Sequence, residues 1–171
     1  MLPLKILKNI IKYPESRETK EAKALIEDLY NMGYSQNDIK EMTISRKDAL
    51  NKLESLNIKK DTTLYEFYTN GLNEAGFLTP EEADDLYGLD EIYENYQIPH
   101  PLYAQYPQIG KRYLQISSAE GEHSYFYDKE TDAVYSVDWS QLDDLNAGKL
   151  KPMFSSFYDF LEWYYSEEAD E

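Results

Sequence analysis

The chain has 171 residues, 42% hydrophobic and 29% charged, with no cysteine. That is a globular composition, and it excludes disulfides, thiol nucleophiles and cysteine-ligated metal or iron–sulfur centres. Thirty-three acidic residues against 17 basic ones give a net charge of −16, and 24 of those acids but only five of the basic residues lie after residue 60. An acidic body of this kind repels nucleic acid and anionic membrane and attracts basic partners, and the same acidity also serves solubility.

Leu4, Leu7, Ile10 and Ile11 recur at helical spacing and predict a short helix over Leu4–Tyr13, broken by Pro14. A second helix is expected over about Arg17–Met32, with Ala22, Leu25, Ile26, Leu29 and Met32 on one face and Gly33 at its C-terminal cap. Ser35 with Asp38 starts a third, carrying Ile39 and Met42. Ser45 caps a fourth, striped by Ala49, Leu50, Leu53 and Leu56. Asp61 is placed to cap a fifth, Thr62–Thr69, stopped by Asn70-Gly71. Thr79-Pro80-Glu81-Glu82 has the form of a helix start and predicts a helix to about Tyr87. After Gly88, Leu89–Tyr96 adds a further helical stretch, and Pro99, Pro101 and Pro107 predict an extended connection over residues 97–110.

The pattern changes at Gly110. Arg112–Ser118 alternates as a strand, with Tyr113, Gln115 and Ser117 on one face and Leu114 and Ile116 on the other. His123–Asp128 and Ala133–Asp138 follow as strands across turns at 119–122 and 129–132, which makes a meander. Ser140–Pro152 reads as a loop. Ser155 or Ser156 caps a last helix to about Tyr165, and the acidic tail Glu167–Glu171 is expected to fray. Helices, then a three-strand meander, then a helix define an α+β class, divided as a helical extension 1–44, a domain 45–166 and a tail 167–171.

Residues Leu2–Ile11 lack the continuous apolar run and cleavage site of a secretory signal, and no run reaches membrane-spanning length, so the expected location is cytoplasmic. No phosphate-binding glycine loop, nucleophile elbow or calcium-loop ladder is present. His100 and His123 are the only histidines and lack metal-ligand spacing. Glu81-Glu82-x-Asp84-Asp85 and Asp143-Asp144 are cation-binding candidates, although solvated helix faces give the same runs. No cofactor or metal is expected. Fourteen of the 17 tyrosines follow residue 60. Tyrosine suits strands, and it also suits binding surfaces, where its ring offers apolar area and a polar tip.

The C-terminal half also carries a family pattern. Tyr113-Leu114-Gln115-Ile116-Ser117-Ser118 leads through Gly121 to Tyr125-Phe126-Tyr127-Asp128, then Asp132-Ala133-Val134-Tyr135, and closes on Ser156-Phe157-Tyr158-Asp159-Phe160-Leu161. Upstream stand Leu64-Tyr65-Glu66-Phe67-Tyr68 with Gly71, Phe77–Asp85, and Leu89-Asp90-Glu91-Ile92. Together, over about residues 45–165, this resembles the SMI1/KNR4 family of the SUKH superfamily. Ser117-Ser118 departs from the family's common Ile-Gly, and residues 1–44 have no counterpart in its minimal pattern. The resemblance implies a non-enzymatic protein-binding domain. Many bacterial members are immunity proteins that neutralise a nucleic-acid-targeting toxin, and other branches serve glucan synthesis or protein translocation. An acidic mimic of nucleic acid is a further alternative.

The expected partner is therefore a basic protein domain, with no nucleic acid bound and no membrane insertion. The candidate binding residues are Glu81, Glu82, Asp84 and Asp85 together with the hairpin residues Tyr125, Tyr127, Asp128, Glu130, Asp132 and Tyr135. Alternation puts Phe126 toward the core and the two tyrosines at the surface, and the reverse assignment stays open.

Overall fold

Aromatic and β-branched residues from Tyr113 to Val137 assemble into a meander whose two faces are both covered. The computed structural model describes all residues except 9, 73–76, 79, 98–100, 120 and 169–171, and only the backbone of 71, 72, 77, 78, 167 and 168. In chain order the elements are α1 (Leu4–Leu7), β1 (Ile10–Ile11), α2 (Lys20–Asn31), α3 (Gln36–Glu41), α4 (Arg46–Ser55), α5 (Thr63–Tyr68), β2 (Gly71–Leu72) and β3 (Phe77–Leu78). There follow α6 (Leu89–Gln97), α7 (Pro101–Gln105), α8 (Pro107–Arg112), β4 (Tyr113–Gln115), β5 (His123–Asp128) and β6 (Val134–Asp138). A 3-10 turn at Trp139–Gln141 then leads to α9 (Leu142–Asn146), α10 (Phe157–Tyr164) and β7 (Glu167–Glu168). The fold is α+β.

Strands β4, β5 and β6 pair antiparallel in that order, with Leu114 opposite Tyr127 and Phe126 opposite Tyr135. Period-two alternation then separates two cores. Leu114, Ile116, Tyr125, Tyr127 and Val134 pack with α4, α5, α6 and α10 in the larger one. Tyr113, Phe126, Tyr135 and Val137 pack with Leu102 of α7, Ile109 of α8 and Leu145 of α9 in the other. The sheet is thus a middle layer between helices. Between β4 and β5 lies a buried polar cluster: the Ser117 hydroxyl accepts from the Tyr125 amide (2.7 Å), the Ser124 hydroxyl donates to the Ser117 carbonyl (3.0 Å), and Gln115 Nε2 donates to Ser124 (3.1 Å).

The helix caps explain why the N-terminal helices stop and start where they do. Ser35 with Asp38 and Ser45 with Asp48 form capping boxes, each satisfying two amide donors. Gly33 (φ +97°) and Asn57 (φ +59°) end α2 and α4 in left-handed turns. After each, the next amide reaches back to the third-last helical carbonyl, Tyr34 N–H to Leu29 and Ile58 N–H to Leu53.

Residues 1–44, expected as a helical extension, pack on the rest of the chain. Leu2 and Ile6 are buried in the main core, and β1 pairs with β2. Ala22, Leu29, Ile39 and Ile44 make a small core of their own. Arg17 ties that unit down, donating to Asp48 (2.9 Å) and to the carbonyls of Ile39 (3.1 Å) and Met42 (2.6 Å). Asp90 of α6 accepts from Lys52 (2.6 Å), from the Thr43 amide (3.1 Å) and from the Thr43 hydroxyl.

Several expected elements differ. The first helix is a single turn, Leu4–Leu7, and Ile10–Ile11 is a strand. Thr62, not Asp61, caps α5. Pro101 and Pro107 of the supposed extended connection instead begin α7 and α8, a position where a missing N–H costs nothing, and Pro99 lies outside the described residues. The loop after Ser140 contains α9. Glu167–Glu168 pairs with Phe77–Leu78 rather than fraying, and 169–171 lie outside the described residues.

Candidate functional site

The segment 80–87 is not the expected helix. Its proposed cap, Thr79, lies outside the described residues, and from Pro80 onward the chain turns and runs against the sheet. The Tyr87 amide donates to the Ile116 carbonyl (2.8 Å), the Ser118 amide to the Asp85 carbonyl (2.8 Å), and Leu86 bridges Ser117. These bonds to residues 116–118, which follow β4, replace the intrahelical ones that a helix would have made.

Side chains complete the anchoring. The Tyr164 hydroxyl of α10 accepts from the Leu86 amide (2.9 Å) and donates to the Asp84 carbonyl (3.1 Å). The Tyr125 hydroxyl accepts weakly from the Asp84 amide (3.4 Å). His123 Nδ1 lies 2.7 Å from the Asp84 carboxylate, which orients the half-exposed ring and holds its Nδ1–H tautomer when neutral. Burial, opposed in part by the bond from the Asp84 amide, raises the Tyr125 phenol, and the charges of Asp84 and Glu82 raise it further. Tyr125 therefore stays a neutral strut.

The loop presents Glu81, Glu82 and Asp85 to solvent, while Asp84 is largely buried by its histidine. Beside it opens a cleft of about 470 Å³ lined by Asp85, Leu86, Tyr87, Glu91, Ser118 and Ala119. A second cleft, about 520 Å³, lies at the N-terminal segment between Leu7, Ile10, Lys12 and Arg46, with Glu15 and Glu66 also on its wall. Among the described residues no group of three or more His, Asp or Glu side chains is placed to hold a metal ion.

The other predicted residues lie elsewhere or inside. Strand β5 begins at His123, beside the acidic loop, and ends at Asp128, about 17 Å away at the usual rise per residue. The acids of the 129–132 turn therefore do not share a surface patch with Glu81–Asp85. Asp128 is fully buried. It receives Arg112 Nη2 (2.8 Å) and Nε (3.0 Å), the Thr131 hydroxyl (2.7 Å) and the Glu130 amide (2.9 Å). Burial pushes its carboxyl up, and these donors outweigh burial and hold it below the usual aspartate range. Glu130 is exposed, and Asp132 is half-buried, accepting from the Tyr127 hydroxyl (2.7 Å).

Tyr125 (2% exposed), Tyr127 (1%) and Tyr135 (8%) are core residues, which corrects the expectation that the hairpin tyrosines are surface anchors. The helical layers cover both faces of β5, so alternation distributes its residues between two interiors rather than between interior and solvent. Of the ten candidates, Glu81, Glu82, Asp84 and Asp85 come together, and Tyr125 supports them from below. Sequence reasoning missed Tyr164 and His123 as supports of this loop. A hydroxyl at the end of a helix and a histidine at the start of a strand give no linear signal of a contact some 40 or 80 residues away. Comparisons with protein-family models, curated proteins and solved structures give no match.

Proposed function

We propose that this chain is a non-enzymatic protein-binding domain of SMI1/KNR4 type, acting as an immunity protein that neutralises a basic, nucleic-acid-targeting toxin domain. The observation that supports it best is the pinned loop: Glu81, Glu82 and Asp85 are exposed, and the backbone from Asp84 to Tyr87 is held by residues 116–118, Tyr164 and Tyr125. Carboxylates that are ordered before binding lose little freedom on association, and their field steers a basic partner onto the face. Nucleic-acid-targeting domains carry a basic face to hold phosphates, so the same charge that excludes nucleic acid from this protein attracts them.

Co-expression with the toxin domain encoded beside this gene is the test. The wild-type chain should restore growth and co-purify. The Glu81→Gln/Glu82→Gln/Asp85→Asn variant should associate more slowly, by about tenfold at low salt, with a flatter salt dependence. A wild-type association that is as fast at high salt as at low salt removes the electrostatic basis. A neighbouring gene for glucan-synthesis or secretion machinery would move the reading to those branches, and one for restriction machinery to a nucleic-acid mimic.

A further inference from the structure

Helix α2 uses only part of its apolar surface inside the protein. Ala22 and Leu29, 0% and 9% exposed, pack with Ile39 and Ile44, and Ile26 packs against them. At about 100° per residue, Leu25 and Met32 lie about 40° and 60° to one side of Leu29, and Ile26 lies about 60° to the other. Leu25 and Met32 are 40% and 71% exposed. Glu21 and Asp28, also exposed, lie on the same side as these two, about 80° and 100° from Leu29. The solvent flank of α2 is therefore an apolar row, Leu25 and Met32, with an acidic row, Glu21 and Asp28, beside it. Both rows have the seven-residue spacing of a heptad, in which Leu25, Leu29 and Met32 are d, a and d while Glu21 and Asp28 are g. Beyond Gly33, the Tyr34 amide returns to the Leu29 carbonyl (3.2 Å), which sets this 43% exposed tyrosine at the end of α2.

Among the described residues neither Glu21 nor Asp28 has an ion-pair partner. Asp28 stands in the last turn of α2, which has no basic residue and where a negative charge opposes the helix dipole. A charge that works against its own helix, beside apolar side chains that the core leaves uncovered, marks a face for contact. Its occupant must match the apolar row with a parallel cationic row at the same spacing. Nucleic acid and anionic lipid carry the wrong charge, and among the described residues no helix is long and apolar enough to cross a membrane. A second copy would bring the same acids and a net charge of −16. We propose that the Leu25–Met32 flank of α2 is a docking face for a basic amphipathic helix of a partner protein. The apolar positions of that helix pack along Leu25, Leu29 and Met32, and lysines or arginines beside them meet Glu21 and Asp28, the kind of pairing that sets partner choice between helices. This face shares no residue with the acidic loop and stands whether or not that loop binds a toxin.

The experiment is fluorescence anisotropy of a labelled three-heptad peptide, leucine at positions a and d and lysine at e and g, titrated with the full chain. A second peptide carries glutamate at e and g. Wild type should bind the lysine peptide, less tightly as salt rises, and should not bind the glutamate peptide. Leu25→Ser/Met32→Ser should weaken binding by about tenfold or more. Glu21→Lys/Asp28→Lys should weaken it similarly and gain binding of the glutamate peptide, a readout that misfolding does not produce. Met153→Ser, at an exposed apolar site outside α2, should bind as wild type does. Thermal melts matching wild type establish that the variants fold. Absence of binding by wild type overturns the proposal, as do α2 variants that bind like wild type. An equal loss in the Glu81→Gln/Glu82→Gln/Asp85→Asn variant also overturns it, by placing the peptide on the acidic loop. So does a dimer of the free chain that the Leu25/Met32 variant dissolves, which would assign the face to a second copy.

Discussion

The hydroxyl of Tyr164 stands between two backbone groups of the acidic loop, accepting from the amide of Leu86 and donating to the carbonyl of Asp84. One core side chain thereby satisfies a donor and an acceptor two residues apart. It couples the closing helix to the proposed binding face.

Tyr164→Phe keeps the ring and removes that bridge. It should lower stability by about 1–3 kcal/mol, the cost of leaving partly buried backbone groups unpaired. Denaturant unfolding measures this. Hydrogen exchange at the Leu86 amide should accelerate more than at amides of β5, and equal acceleration everywhere would show that the bridge does not hold the loop specifically.

Tyr127 separates a core role from a surface role. Tyr127→Ala should cost about 3–5 kcal/mol, as expected for an aromatic side chain removed from a packed interior. Tyr127→Phe is the finer probe. Burial raises the carboxyl of Asp132, and the Tyr127 hydroxyl pulls it back down. Without that donor the ionised form is harder to hold in the fold. A carboxyl raised in the folded state costs stability once it is ionised, so the deficit of Tyr127→Phe should be larger near pH 7 than near pH 4. A pH-independent deficit would mean that Asp132 is not involved.

Asp128 sets the opposite dependence. Its carboxyl and that of Asp90 are both lowered against the pull of burial, the first by Arg112 and Thr131, the second by Lys52 and Thr43. Their contribution is complete above the ordinary aspartate value of about 4 and is lost as the pH falls through the lowered values. Asp128→Ala should destabilise by about 3 kcal/mol at neutral pH by stripping Arg112 and the turn amides of their acceptor. The variant should also show a shallower loss of stability on acidification, read from melts across the acid range.

Arg17 fastens the α2–α3 unit to α4. Arg17→Ala should lower stability by about 1–2 kcal/mol, since it frees carbonyls at the end of α3 and one partner of Asp48. Limited proteolysis should then cut between residues 15 and 45 faster than in wild type. Release of residues 1–44 at the same rate in both would mean that other contacts hold the unit.

Much of this fold was legible because its signals are local. Ser35, Ser45 and Gly33 act within one turn of where they stand, and the period of two from His123 to Asp128 marks a strand without any tertiary information. The errors fall where a distant partner decides. Pro80-Glu81-Glu82 has good helix chemistry, but the chain from Asp85 to Tyr87 finds its hydrogen bonds on residues 116–118. Alternation correctly put Tyr125 and Tyr127 on one face and Phe126 on the other, but it carries no information on how many layers cover a sheet. Acid content located Glu81–Asp85, while the supports Tyr164 and His123 are visible only in three dimensions.

The buried hydroxyls between β4 and β5 act as a ratchet pawl. A slip of one residue would exchange the two faces of a strand that is apolar on both sides, so hydrophobicity alone discriminates weakly between the correct pairing and its neighbour. Ser117, Ser124 and Gln115 satisfy one another only in the observed alignment. Every shifted alignment strands polar atoms in a dry interior. A hairpin with greasy surfaces front and back thus gains an unambiguous stopping point, and with it the position of His123 under the acidic loop.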